Sequence, residues 1–422
     1  MYTVLYGINT NTSVCYDLVD AHKTKLIATT DGSGQFKGYQ TLNLDALAEV
    51  NAQQSIEKII ICSMYVSEIT TSLLEKGILL DVIYYYDLSC FEVRPVREVI
   101  NADIKEHDIL YAFYDLSSNL PTFDCVQFAL LAELERVKRK KKFLQFIIVP
   151  DRSASQSYLG LSQYHDQHDL NWRITHIVEP VFSLIKSALT VSTLALREQA
   201  TSLMAGVAEG QVFPSNFGAA GNSHAVRQIM LKPYVDAGYS LSLLAPHREA
   251  QRQVDTFFEK VVGDKKAVVI TLREYAHQPQ RNSDLASWER FLSQLDKEVY
   301  FPIIVRDTYT VADRLPDGLA NYTTFPLAAI DIHFRVALYR RAFINMAKTN
   351  GAFYLCNFIP GCRSLTFIEV DDLNPTMSTE TWVRSGYRPG EDAFLRDNAD
   401  QKIIWGPDSY ENIASSFARI NK

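Results

Sequence analysis

The residues best suited to chemistry stand where apolar runs stop. Arg273 follows directly on residues 267–272 (AVVITL), and eight residues later Arg281-Asn282-Ser283-Asp284 opens a helical pattern with Leu285, Trp288, Leu292 and Leu295 on one face. Ligands of open α/β sheets gather at the carboxyl ends of strands. Two arginines and a helix start, with Ser283 as N-cap, therefore converge on one strand end. Guanidinium forks and exposed amides suit a pyrophosphate; the alternative is that both arginines pair at the surface with Glu274 or Asp284. The next apolar run, 300–305, ends in Arg306-Asp307-Thr308. Asp307 there either accepts from a ribose or base or caps the following turn. Pro360, in the loop 359–363 (IPGCR), is a candidate wall at the same edge.

A second set of candidates lies earlier. Residues 109–114 (ILYAFY) end in Tyr114-Asp115, and Asp115 is the candidate general base because strand-end carboxylates face the cleft. The competing role is to tie down loop amides. Glu179, after 174–178, is a similar strand-end acid. The stretch 213–222 (FPSNFGAAGN) precedes a helix and lets backbone approach a sugar or phosphate around Asn216 and Gly218, although it lacks phosphate-loop spacing. Tyr114, Glu179, Asn216 and Gly218 thus form an acceptor-side set. In 164–169 (YHDQHD) the HxxH spacing lacks a third ligand and the HExxH pattern, so a solvated loop and no metal are expected. At the N-terminus a strand, 2–6, runs into Gly7-Ile8-Asn9, and a second strand ends near Asp31. Gly7 and Asp31 are the candidate nucleotide contacts of that unit. A single glycine is a poor dinucleotide fingerprint, which favours a structural or nucleotide-sensing role over redox chemistry.

The elements that must position these residues alternate between strand and helix almost throughout, the pattern of parallel-sheet α/β domains. Strands are predicted at 2–6, 25–29, 58–62, 80–85, 109–114, 143–149, 267–272, 300–305, 353–358 and 365–370. Helices are predicted at 66–76, 123–141, 284–295, 331–349 and 410–420, the fourth stopping at Asn350-Gly351. The polar stretch 374–400 reads as a surface loop. Three units result: an accessory Rossmann-like unit over 1–105, a second over 106–263 and a third over 264–422. A chain of 422 residues is too long for one ordinary core.

Composition narrows the function classes. With 42 basic and 49 acidic residues the net charge is −7, which speaks against a nucleic-acid partner. The one basic run, 138–142 (KRKKK), ends a helical pattern and complements its dipole. No run approaches the roughly 20 apolar residues of a membrane span, and the N-terminus reads as a strand rather than a signal peptide. Six scattered cysteines without a CxxC fit reduced thiols and a cytoplasmic location.

Several of these segments together resemble a bacterial glycosyltransferase-like family of GT-B type. The likeness is carried by 111–124 (YAFYDLSSNLPTFD), Ala132-Glu133 with Arg136, 147–150 (IIVP), Arg173-Ile174, Val178-Glu179-Pro180 and 270–273 (ITLR). It continues through Arg281-Asn282-Ser283 with Trp288, Asp307, Arg335 with Leu338-Tyr339, Thr349-Asn350-Gly351 and Trp405-Gly406-Pro407-Asp408. It covers roughly 107–422, and 1–105 is similar to the Rossmann-like module found beside sugar-modifying enzymes. The resemblance implies two facing Rossmann-like domains, a nucleotide-sugar donor in the C-terminal one, a glycan or protein acceptor and no obligatory metal or other cofactor. The likeness to fucosyltransferase-type enzymes sets Arg273, and with it Arg281, opposite the donor diphosphate. Asn282, Ser283, Asp307, Asn350, Gly351 and Pro360 complete the expected donor side. Where relatives tend to read Asn-Asn-Gly-Pro, this chain has Thr349-Asn350-Gly351-Ala352. A non-catalytic nucleotide-sugar-binding protein on a degenerate GT-B fold is the other function such a chain would serve. A nicotinamide-dependent oxidoreductase is a third, opposed by the missing glycines.

Overall fold

The computed structural model describes residues 2–19, 23–53, 55–88, 91–98, 106–151, 166–218, 225–276, 278–395 and 399–420. The chain divides into two compact units, Met1–Ile109 and Leu110–Lys422. The junction expected at 105–106, residues 219–222 of the small-residue loop, and Tyr164, His165 and Cys90 lie wholly or partly outside the described residues.

The first unit is one six-stranded sheet. Its strands are β1 (Tyr2–Tyr6), β2 (Thr24–Ala28), β3 (Thr41–Leu42), β4 (Ile56–Ile61), β5 (Ile83–Asp87) and β6 (Glu92–Pro95), in the order β3-β2-β1-β4-β5-β6. All pairings are parallel except β5 with β6. Val4, Ile59, Ile61 and Ile83 pack on one face, and Leu5, Ile27 and Ile60 on the other, as a sheet covered on both sides requires.

The second unit holds two sheets. One contains β7 (Ile109–Asp115), β8 (Phe143–Val149), β9 (Ala188–Thr193) and β10 (Val212–Phe213) in the order β10-β7-β8-β9. The other contains β11 (Lys266–Thr271), β12 (Tyr300–Val305), β13 (Thr323–Thr324), β14 (Ile344–Lys348), β15 (Ser364–Ile368) and β16 (Gln401–Trp405). Its order is β13-β12-β11-β14-β15-β16, parallel throughout. The chain is therefore α/β with three Rossmann-like sheets, and the last two face a common cleft in the GT-B manner.

Some elements differ from the sequence reading. The single helix expected over 331–349 is a helix, Ile332–Arg341, followed by strand β14. All five residues of β14 are buried, and central placement between β11 and β15 outweighs the helix preference of Met346, Ala347 and Lys348. Residues 174–178, expected as a strand ending at Glu179, instead continue a helical run that links the helices Gln167–Arg173 and Glu179–Ser183. The expected strand 353–358 is a run of tight helical turns. The polar segment 374–400 includes a short helix, Thr379–Arg384, rather than loop alone.

A buried polar joint ties the third sheet to its helices. Asp408 is 1% exposed. Its Oδ2 accepts from the Trp288 indole at 2.9 Å and from the Asp284 amide at 3.0 Å, and Lys348 lies 3.5 Å from Oδ1. Asp408→Ala would orphan a buried indole N–H and remove one counter-charge from Lys348, so it is expected to cost about 3 kcal/mol. A shift of the urea midpoint to lower concentration at unchanged slope checks this; an unmoved midpoint would show that the joint is not needed.

Candidate functional site

The carboxyl ends of β11, β12 and β14 open onto a cavity of about 580 Å³ in the second unit, within the size range of small-molecule sites. The C-terminal half lines it with Arg273, Arg281, Asp307, Arg335, Asn350, Gly351 and Trp382, among others. The N-terminal half contributes Phe123, Asp124, Trp172, Arg173, His176 and Gln228.

Arg273 leaves the end of β11 and is held by the strap that follows. Its amide donates to Ser283 Oγ at 2.9 Å, and its Nη1 donates to the Gln278 carbonyl at 3.0 Å and to the Asn282 side-chain oxygen. Asn282 also ties both backbone groups of Tyr275, at 3.0 and 3.1 Å. Asn282 and Ser283 thus aim Arg273; neither lines the cavity. Burial, and next the neighbouring Arg281, push the Arg273 guanidinium down to about 10. It remains a cation at neutral pH. Arg281 is lowered by burial as well, and its buried Nε has no hydrogen-bond partner among the described residues.

The surface-pair alternative does not hold. Glu274 takes a two-pronged ion pair from Arg306, at 2.6 and 2.9 Å, and Asp284 caps its own helix by accepting from the Ser287 amide. Among the described residues Arg281 has no carboxylate within ion-pair distance. The helix start, however, is not part of the anion site. Asp284 rather than Ser283 is the N-cap of the helix Leu285–Gln294, and the Asp284 amide is taken by Asp408. The positive charge in the cleft comes from guanidiniums alone.

Asp307 caps the following turn by accepting from the Tyr309 amide at 3.4 Å and also lines the cavity, so capping does not take it out of the cleft. Asn350 and Gly351 line it too, in the turn after β14 rather than at a helix stop. Asn350 braces that turn by accepting from the Phe353 amide at 2.9 Å. A Cβ on Gly351 would lie 3.1 Å from Phe123, so glycine serves the close approach of the two halves. Pro360 is exposed and does not line the cavity; Tyr354 and Asn357, one turn earlier, form that wall instead.

The acceptor-side set is corrected. Asp115 is fully buried, with Arg197 gripping its carboxylate (Nη1 to Oδ1, 2.7 Å) and the Ser117 amide at 2.9 Å. Burial raises its pKa, but Arg197 and Ser117 outweigh burial and hold it below the ordinary carboxylate range. A paired carboxylate outside the cavity does not accept a substrate proton. Tyr114 is a core residue, 2% exposed, whose hydroxyl donates to the Leu120 carbonyl. Glu179 lies within the helical run and takes the Thr193 hydroxyl. Asn216 and Gly218 are exposed and do not line the cavity.

On the N-terminal wall the acid that lines the cavity is Asp124, nine residues on from Asp115. It precedes the helix Cys125–Lys138 and is exposed to solvent within the cleft. The protein around it raises its pKa above the usual range, only partly opposed by Thr122. Its hydrogen bonds, from Thr122 Oγ1 and Gln127 Nε2, are both long at 3.5 Å. A loosely held carboxylate with a raised pKa in a cleft is a general-base environment.

The two halves also touch across the cleft. Tyr309 Oη donates to Asp169 Oδ1 at 2.6 Å, Arg173 donates to Tyr275 Oη at 3.1 Å, and Gln228 donates to Tyr387 Oη. Tyr275 and Tyr309 stack at 5.8 Å, and Trp172 lies flat on His176 at 4.7 Å. Asp169 additionally pairs with Arg173 at 3.0 Å, so this end of the expected histidine loop is a structural helix start.

Behind the cavity a histidine joins the halves. His333 Nδ1 accepts from the His247 amide at 3.0 Å, its Nε2 meets Ser183 Oγ at 2.9 Å, and the two imidazoles stack at 3.7 Å. Nδ1 must stay unprotonated to accept. Burial first, and His247 next, push His333 down to about 4 from the usual 6.5. Between those values the unfolded chain takes a proton that the folded one refuses, so stability is full above pH 6.5 and falls towards pH 4, by roughly 3 kcal/mol. Urea midpoints measured from pH 7 to pH 4 should show this loss, and His333→Gln should flatten it. An equal acid loss in the variant would contradict the assignment.

In the first unit the candidate contacts are already engaged. Gly7 has φ +104°, and the amides of the helix start that follows it, Asn11 and Thr12, donate to the Asn9 side chain, which itself donates to the Cys62 carbonyl at 2.9 Å. Asp31 Oδ1 accepts from the Ser33 amide and hydroxyl and from Thr29. The geometry offers no open anion site at Gly7, so those two assignments are corrected to structural roles.

No protein-family model matches the chain, and no curated protein sequence matches it. Solved structures of related shape include the glycosyl transferase family 9 protein from Veillonella parvula DSM 2008. It is 9% identical, with 74% of this chain and 88% of that chain covered and a TM-score of 0.35. The E. coli heptosyltransferase WaaC with ADP is 9% identical over 100% of both chains, at a TM-score of 0.28. The S. aureus MnaA-UDP co-structure is 11% identical over 100% of this chain and 88% of that chain, at 0.25. At such scores the likeness carries no functional weight, and the reading of the site rests on this chain's own residues. Among the described residues no helix is long and apolar enough to cross a membrane.

Proposed function

We propose that the chain is a glycosyltransferase of GT-B type that moves a sugar from a nucleoside diphosphate donor to a hydroxyl of a glycan or protein acceptor. The observation that carries this is the pairing, in one cavity, of two partly desolvated guanidiniums on one wall with a raised-pKa carboxylate on the other. In the reaction the acceptor oxygen bonds to the anomeric carbon as the bond to the donor diphosphate breaks. The acceptor proton passes to Asp124, and the charge released on the diphosphate is balanced by Arg273 and Arg281. Such fixed charges act more strongly in a partly enclosed site than in water. Asp307 stands where a ribose or base is held, and the Asn350-Gly351 turn offers backbone to the sugar. The guanidiniums supply the positive charge, so the reading needs no metal. The five cysteines among the described residues are buried free thiols, which suits a reducing cytoplasm.

Calorimetric titration with UDP-, GDP-, ADP- and CMP-linked sugars, followed by a donor-hydrolysis assay, tests this. Binding of one nucleotide class with slow hydrolysis is expected. Binding with no turnover under any acceptor would leave a nucleotide-sugar-binding protein, and binding of a nicotinamide dinucleotide in place of nucleotide-sugars would overturn the reading.

A further inference from the structure

We propose that Arg335 reads a carboxylate on the transferred sugar, so that the donor is a nucleoside diphosphate-linked acidic sugar; this rests on the glycosyltransferase reading above. Arg335 belongs to the helix Ile332–Arg341, is 4% exposed and lines the cavity. Its Nη1 donates to Tyr339 Oη at 3.0 Å, and that hydroxyl shares a 2.7 Å bond with Thr271 Oγ1. Because Arg335 donates, the Tyr339 proton goes to Thr271, and this chain fixes the guanidinium against the end of β11. No carboxylate among the described residues lies within ion-pair distance of it. The nearest in sequence, Asp331, turns one helical turn back to cap the amides of His333 and Phe334 at 2.7 and 3.3 Å.

A buried guanidinium without a counter-charge is costly, which points to a ligand that supplies one. The diphosphate of a nucleotide-sugar carries about two negative charges, matched by Arg273 and Arg281. Arg335 is a third guanidinium lining the same cavity, carried by a helix rather than a strand-end loop. Its anchor Tyr339 packs against Phe353 at 5.7 Å, just beyond the Gly351 turn. With two guanidiniums matched to the diphosphate, the third is left for a further negative charge on the part of the donor that shares the cavity with Asp124. A planar fork with free donors there fits a carboxylate in two-pronged fashion.

The test compares UDP, UDP-glucose and UDP-glucuronate, with GDP, GDP-mannose and GDP-mannuronate alongside, by calorimetry on wild type and Arg335→Gln. Wild type is expected to bind the acidic donor of the accepted nucleotide at least ~10-fold tighter than its neutral counterpart. Arg335→Gln should erase that advantage while leaving the nucleoside diphosphate unchanged. Equal weakening of all three ligands by the variant would overturn the proposal and assign Arg335 to the diphosphate. So would a wild type that binds nucleotides with no preference for the acid. If neither this panel nor the ADP- and CMP-linked compounds above bind wild type, the glycosyltransferase reading falls too. Tyr339→Phe, which removes only the anchoring hydroxyl, should reduce the preference without abolishing nucleotide binding; an unchanged preference in a variant that also retains its melting temperature would count against the proposal.

Discussion

Arg273→Ala should weaken binding of the nucleoside diphosphate by at least ~100-fold, the loss of a desolvated, charge-assisted pair, while the protein stays folded. The fold is expected to survive because Asn282 keeps its own bonds to Tyr275 and Ser283 still accepts from the residue-273 amide. What disappears is the charge and the side-chain bonds to Gln278 and Asn282. Arg273→Lys keeps a charge but not the fork, so it should fall between wild type and alanine. Calorimetric titration beside a thermal melt separates the two effects. Unchanged affinity in a folded alanine variant would remove Arg273 from the site.

The second large effect is expected at Asp124. Asp124→Asn removes the proton acceptor and little else, so donor affinity should hold while kcat falls by roughly 10²- to 10⁴-fold. Because enclosure already disfavours the charged form of Asp124, the amide should not destabilise the protein. The pH profile adds an independent readout. A base works only when deprotonated, so wild-type kcat should fall at low pH through the raised Asp124 pKa, and the residual rate of the variant should lose that limb. Asp115→Asn makes the contrast: it breaks the buried pair with Arg197 and should lower stability. A variant at Asp124 with full kcat would mean that another group takes the proton.

The arginine wall was readable from sequence because its signals are local. Arg273 directly follows six buried residues, 267–272, the first five of them in β11, and the strap returning at Arg281-Asn282-Ser283 is only ten residues long. The cleft-facing acid was not readable, because Asp115 and Asp124 bracket the same strand-to-helix turn. What separates them is Arg197, 82 positions away, which claims one carboxylate and leaves the other facing the cleft. Arg335 was matched by resemblance, but its lack of a counter-charge is a fact of burial that no spacing reveals. The helix read through 331–349 failed for a similar reason: residues 344–348 are strand only because β11 and β15 flank them. The polar segment after 374 hid its contribution as well. Trp382 reaches the cavity from a helix of six residues, and its buried indole N–H has no partner among the described residues.

The central claim is that the guanidiniums of the third sheet hold a diphosphate, and a crystal structure with the bound nucleotide tests it most directly. Crystals soaked with UDP, GDP, ADP or CMP, whichever binds in solution, should show the phosphates about 3 Å from Arg273 and Arg281, with the ribose towards Asp307. A nucleotide seated on the first unit, or in the second unit away from both arginines, would contradict the account.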